Sequence, residues 1–346
     1  MTHDAILVIA WLVLAHFVAD FVLQNSAIAQ AKSSHGFAAA RGLLAHGVIV
    51  AACLVPAGLA FGDRGWLLAV VAGVSHVLID RTKVVLTRRA AAAALGEARQ
   101  QREGDEGPQP VDHLGRAWTP RPASLFLADQ GAHLLVLGWA WAALLASTPL
   151  TAGWTTTVDG WLGGWDRVAV HAIVSGFVVF AALAIVNIRA AALFVGILVR
   201  PVEVRTDGEH RWGGRVARVA DAPASGGARR WTVRLGPLDA RITAEANPVE
   251  RPAAETTAPL VTPPLGTSAR VGATIGILER ILTVTFVMTG TDVAIGFVVA
   301  AKTLARFRLL DDRAFAEYYL LGTLASVSVA ILTAIAGRAA LAALLS

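Results

Sequence analysis

The feature that most limits what this chain can fold into is a succession of apolar runs. Each is close to the ~20 residues a helix needs to cross the hydrocarbon core of a bilayer. The runs are Ala5 to Gln24, Gly42 to Phe61, Trp66 to Leu86, Ser124 to Ala146, Val168 to Val199, Val271 to Met288, Val293 to Ala305 and Phe315 to Leu345. The last is expected to break near Gly337. The seventh is short and depends on the tight Thr289-Gly290-Thr291 turn before it. Composition agrees: 16% of residues are charged and 55% hydrophobic, whereas soluble domains carry about a quarter charged residues. The fold expected is an all-α, polytopic transmembrane helical bundle of about eight spanning helices.

Polar stretches divide the chain. Residues 1–147 form a four-helix membrane part and 148–199 supply a fifth membrane helix. Residues 200–270 are a basic linker rich in Pro, Gly and Ala, and 271–346 form a three-helix C-terminal part. Arg88 to Arg121 reads as a polar loop. Within the linker, Trp231 to Leu235 and Ala240 to Thr243 alternate weakly around Gly236-Pro237, as a hairpin would. The composition favours an unstructured linker over such a β insert. Before the first run there is no Lys or Arg, and His16 and Asp20 interrupt it, so Ala27-Ile28-Ala29 is not read as the cleavage site of a signal peptide. The lone cysteine, Cys53, excludes an intrachain disulfide.

The basic residues report orientation. Lys32 and Arg41 lie between the first and second runs, and Arg81, Lys83, Arg88, Arg89, Arg99, Arg102, Arg116 and Arg121 flank the third-to-fourth connection. More occupy residues 200–270, and Arg306, Arg308 and Arg313 lie between the last two runs, while Thr148 to Asp166 has none. In an eight-pass chain all the basic links face one side, which the positive-inside bias makes the cytoplasm, with both termini outside. The location expected is a bacterial inner membrane, with the lipid bilayer as partner. Because the cations are spread among loops, nucleic acid is not an expected partner. Protein partners and homo-oligomer formation are left open.

Ionisable residues inside spanning helices are expensive and need a reason. His16, Asp20 and Gln24 are spaced i, i+4, i+8 and share one helix face. His46 lies early in the second run, the third carries His76, Asp80 and Lys83, and the fourth carries Asp129, Gln130 and His133. With alternating helix directions all of these fall in cytoplasmic halves, so one shared polar cluster is expected. His/Asp pairs four apart can reach one divalent metal ion. On that reading His16, Asp20, His76, Asp80 and His133 are the metal ligands. Asp129 and His46 are ligands or acid–base groups of a hydrolytic site. Lys83 binds an anion, with Gln24 and Gln130 as supports. Two other readings stay open. One is a scaffold or regulator in which interhelical hydrogen bonds of about 1 kcal/mol each hold the helices together. The other is an ion or proton relay of a transporter, although paired Gly/Pro helix breaks are missing. A further polar set, Glu279, Arg280, Lys302, Arg306 and Glu317, sits in the C-terminal runs. Ion pairing and snorkelling account for it, with headgroup or partner binding as the alternative.

Several spaced motifs resemble a known family. They are His16-Phe-Val-Ala-Asp20-Phe-Val-Leu-Gln24, Lys32, His46, His76-Val-Leu-Ile-Asp80 with Lys83, and Asp129-Gln130-Gly-Ala-His133. Together they resemble the bacterial membrane proteins grouped as domain of unknown function 3307 (DUF3307), over roughly residues 5 to 145. The C-terminal stretch is similar to a tail found in many members, through Gly276-Ile-Leu-Glu279-Arg280, Ala294 to Lys302 with Arg306, and Glu317 to Ser326. The resemblance implies that the His/Asp cluster is the family's hallmark. It implies no activity.

Overall fold

A computed structural model describes residues 5–103, 116–117, 119–199, 202–203, 230–235, 238–243, 265–311 and 313–346. The terminal and loop histidines His3, His113 and His210, for which a solvated role is expected from the sequence, lie outside these residues. The chain forms two units, residues 1–213 with 272–346, and residues 214–271. In the second unit the strands β1 (Arg230–Leu235) and β2 (Leu238–Thr243) pair antiparallel, Trp231 opposite Ile242. The hairpin pattern, set aside above for an unstructured linker, is thus present. Alternating β-formers such as Trp231, Val233, Ile242 and Thr243 favour pairing even in a polar surrounding.

The first unit is built of helices. α1 (Ala5–Phe17) runs into a π-helical segment, Val18–Leu23. The Asn25 side chain accepts from Ile28 N at 2.9 Å and so starts the short α2 (Ser26–Lys32). The second apolar run is two helices rather than one, α3 (Gly36–Cys53) and α4 (Val55–Phe61). Pro56 explains the break: it lacks an N–H and its ring clashes with the preceding turn, but it fits the first turn of a new helix. α5 (Asp63–Glu103) continues well into the stretch read as a polar loop from Arg88. Its last turns are rich in Ala, Glu, Arg and Gln, strong helix formers whose propensity does not depend on apolar packing. α6 is Arg121–Leu144. Thr151 caps α7 (Ala152–Trp161) and ties it to α4 by donating its N–H to Ala60 O at 2.8 Å.

α8 (Arg167–Ile185), a π-helical segment (Val186–Ala190) and α9 (Ala191–Val199) form the long fifth run. α10 (Leu265–Thr289) and α11 (Ala294–Ala305) are joined through Gly290, whose φ of 72° suits a residue without a side chain. α12 (Arg313–Leu345) passes Gly337 unbroken, against the expected interruption. A methyl group added there would sit 2.8 Å from Leu183 Cδ1, so the glycine serves close helix packing rather than a turn.

Among the described residues, five helical spans are long and apolar enough to cross a membrane: Ala5–Leu23, Gly36–Cys53, Arg167–Val199, Val271–Thr289 and Phe315–Leu345. This marks a membrane protein, with five such spans where eight were expected. α5 and α6, which carry buried polar groups, are not in the set, and α11, at 12 residues, is too short. The outside of the bundle is nonetheless apolar at α5, where Val70, Val74 and Leu78 form an exposed i, i+4, i+8 stripe. Leu127, Leu135 and Trp139 are exposed likewise on α6. Inside, Leu12, Leu54, Leu68, Leu137 and Leu145 pack at one level. Phe21, Phe126 and Ala190 pack at another.

Candidate metal centre

Two close backbone approaches build the site. A methyl group added to Gly42 of α3 would lie 2.6 Å from Lys32 N of α2. One added to Gly47 would lie 2.6 Å from Val77 Cγ2 of α5 and 3.2 Å from Gly73 O. Only glycine permits α3 to lie this near both neighbours. The second approach puts His46 and His76 opposite each other, and their Nε2 atoms are 3.0 Å apart.

Around that pair the carboxylates close in. Asp20 Oδ1, on the π-helical segment after α1, is 3.1 Å from both His46 Nε2 and His76 Nε2. Asp80 Oδ2, one turn beyond His76, is 3.8 Å from His46 Nε2 and 3.7 Å from His76 Nε2. His46, His76 and Asp80 are buried at 0%, 2% and 2% exposure. Burial of ionisable groups at this level costs several kcal/mol unless each finds a partner.

The other site residues surround this core. Lys32 Nζ forms an ion pair with Asp80 and donates to Gln24 Oε1 at 2.9 Å. Arg88 holds the turn after α2 by donating to Ser33 O and Ser34 O at 2.6 and 2.7 Å. Gln130 donates from Nε2 to Asp20 Oδ2 at 3.2 Å and to Asp129 Oδ2 at 3.1 Å, while its Oε1 lies 3.3 Å from His16 Nε2. Lys83 Nζ donates to Asp129 Oδ2 at 2.6 Å and sits 5.4 Å from the centre of the Phe126 ring. The His133 ring stacks on His76 with centroids 3.8 Å apart. A cavity of ≈ 10 Å³, about the room one water needs, is lined by His16, Ser75, His76 and His133 among others.

All ten N-terminal site residues read from the sequence therefore meet in one place: His16, Asp20, Gln24, His46, His76, Asp80, Lys83, Asp129, Gln130 and His133. Their division of labour differs from the one expected. His46 stands among the closest donors, while His16 Nδ1 is 4.0 Å from Asp20 Oδ1 and its other nitrogen faces Gln130. Lys32 and Arg88 were read only as topology signals, because a cation after an apolar run usually faces the cytoplasm. The one sign of a site role was Lys32's place among the spaced motifs. Three groups of donors, all buried except the half-buried Asp20, are close enough to hold a metal ion: His16 with Asp20 and His76, His46 with His76 and Asp80, and Asp80 with Asp129 and His133.

The C-terminal set does not come together. Lys302 Nζ donates to Glu279 Oε2 at 2.6 Å. Arg280 donates instead from Nε to Asn187 O at 2.6 Å and from Nη1 to Ser326 Oγ at 3.1 Å. Glu317 pairs with Arg313 at 2.9 Å on the surface. Arg306, half-buried beyond α11, approaches Gly272. Asn187, which also donates to Leu183 O and Thr333 Oγ1 at 3.0 and 3.1 Å, was not read from the sequence. Its helix carries a π-helical turn there, and such turns leave a main-chain carbonyl free for Arg280 to fill.

Residues 8–161 match the model of a family described as a protein of unknown function, DUF3307. The match bears out the resemblance for the part that holds the site and ends before α8. No curated protein and no solved structure matches the chain.

Proposed function

We propose that the N-terminal part holds a divalent metal ion among Asp20, His46, His76 and Asp80, and that this ion serves a hydrolytic site on the cytoplasmic side of a bacterial inner membrane. One observation carries the metal reading. Five separations among Asp20 Oδ1, His46 Nε2, His76 Nε2 and Asp80 Oδ2 run from 3.0 to 3.8 Å. Four donors placed tetrahedrally at zinc-like distances stand about 3.3 Å from one another. A hydrogen-bonded cluster has no reason to gather four acceptor-capable atoms at that spacing, because one imidazole N–H serves one acceptor.

The three shortest separations join Asp20, His46 and His76, so these three suit direct ligation. Asp80, drawn outward by Lys32, stands next to the remaining position. A bound ion would supply an activated water at neutral pH. Lys83, next to the cluster and 29% exposed at its side chain, provides a positive charge for an anionic substrate. The apolar stripes on α5 and α6 support counting both among the spanning helices, and with the basic links taken as cytoplasmic the proposed site lies in the inner half of the membrane.

A second reading has its own support. Lys32 and Lys83 already neutralise Asp80 and Asp129, as a purely structural polar network would require. Metal analysis of the purified protein separates the two. The metal reading expects about one ion or more per chain in the wild type and loss of that ion in His46→Leu. It also expects metal-dependent cleavage of bis(4-nitrophenyl) phosphate, absent in the same variant. A wild-type protein without metal sinks the first reading, and a metal-loaded protein inert toward ester probes sinks its hydrolytic part.

A further inference from the structure

Two of the cluster's residues are left unsatisfied by the site just described. His133 is 3% exposed, and neither of its ring nitrogens has a hydrogen-bond partner. Asp129, 4% exposed, gives one oxygen to Lys83 and Gln130, while Oδ1 has no partner. An unpaired buried polar atom costs about 1–3 kcal/mol, more when it is charged. These orphaned atoms are near each other, with His133 Nδ1 3.9 Å from Asp129 Oδ1. Donor atoms of Asp80, Asp129 and His133 all lie within 4.8 Å of one another. Asp80 also belongs to the group with His46 and His76.

We propose that a second divalent cation binds among Asp80, Asp129 and His133, with Asp80 shared between it and the first ion. The proposal rests on the reading above for the bridging role of Asp80, but its own donors, Asp129 and His133, take no part in the first site. Two carboxylates and one imidazole form an oxygen-rich set, which suits Mn²⁺, Fe²⁺ or Mg²⁺ better than a thiophilic ion. The small cavity that His133 lines, with His16 and His76, has room for about one water. Lys83 acts against this site: its ammonium, on Asp129 Oδ2, competes with the incoming cation. Ions sharing one carboxylate are the arrangement by which paired metals clamp a phosphoryl or acyl oxygen.

The test uses full-length protein in detergent, stripped with chelator and titrated with Mn²⁺, read by bound metal per chain and by electron paramagnetic resonance. The wild type is expected to bind about two Mn²⁺ with a spin-coupled signal. His133→Leu, which removes two unsatisfied atoms and should fold at least as well, keeps about one, uncoupled. Lys83→Met tightens the weaker site about tenfold, a gain that misfolding cannot imitate. A wild type with a single Mn²⁺, lost in His46→Leu and kept in His133→Leu, overturns the second site and leaves the first standing. A single Mn²⁺ with the opposite pattern supports this site. No bound Mn²⁺ overturns it, while the first site, whose spacing suits zinc, stands or falls by the metal analysis above.

Discussion

The N-terminal and C-terminal halves of the bundle both carry ionisable residues in apolar runs, yet they use them differently. In the N-terminal half the residues recur four apart on several helices, as His16 and Asp20, His76 and Asp80, and Asp129 and His133. Each pair projects from one helix face, so packing those faces together yields one centre. In the C-terminal half Glu279 and Arg280 are adjacent, and neighbouring residues on a helix point about 100° apart. They diverge accordingly, Glu279 to Lys302 and Arg280 to the carbonyl of Asn187. Spacing along the helix, not the number of charges, separates a convergent site from dispersed pairs.

This contrast can be broken by experiment. The largest effect is expected from Lys32→Met, which leaves buried Asp80 without its cation. The metal-free protein should lose about 3–5 kcal/mol of stability in equilibrium unfolding from mixed detergent, and added metal should restore most of it. If metal restores nothing, Asp80 does not face an ion. Next, Arg280→Leu removes charge-assisted hydrogen bonds to Asn187 O and Ser326 Oγ, at a cost of about 1.5–3 kcal/mol. Metal should not rescue that loss, and bound metal should be unchanged. Any fall in metal content would show that the two halves are coupled. The smallest effect is expected from Glu317→Ala, since its exposed pair with Arg313 contributes at most about 0.5 kcal/mol. A shift above that would mean Glu317 has a partner in the assembled protein.

Much of the site was legible because its signals are periodic. Six of the residues lie in three i, i+4 pairs, and the depth argument added His46. What escaped was Lys32 in a short helix after a turn, and Arg88 in the part of α5 read as a loop. Neither shows periodicity, and a cation beyond an apolar run looks the same whether it faces water or folds back on a carboxylate. Gly42 and Gly47 were equally silent, because a glycine announces nothing until a neighbouring helix touches it. Gly337 misled in the opposite direction, since a glycine that ends a helix and one that admits Leu183 read alike.

The sequence by itself determined the membrane class, the expectation of one shared polar cluster and the family match, because composition and helical period survive without knowledge of neighbours. Only the tertiary structure decided which atoms face one another. His46 enters the innermost group through the approach of α3 to α5 at Gly47, while His133, on α6, stacks against His76 instead. Distances of 3 to 4 Å between residues far apart in the chain depend on how closely helices pack, and no local pattern encodes that.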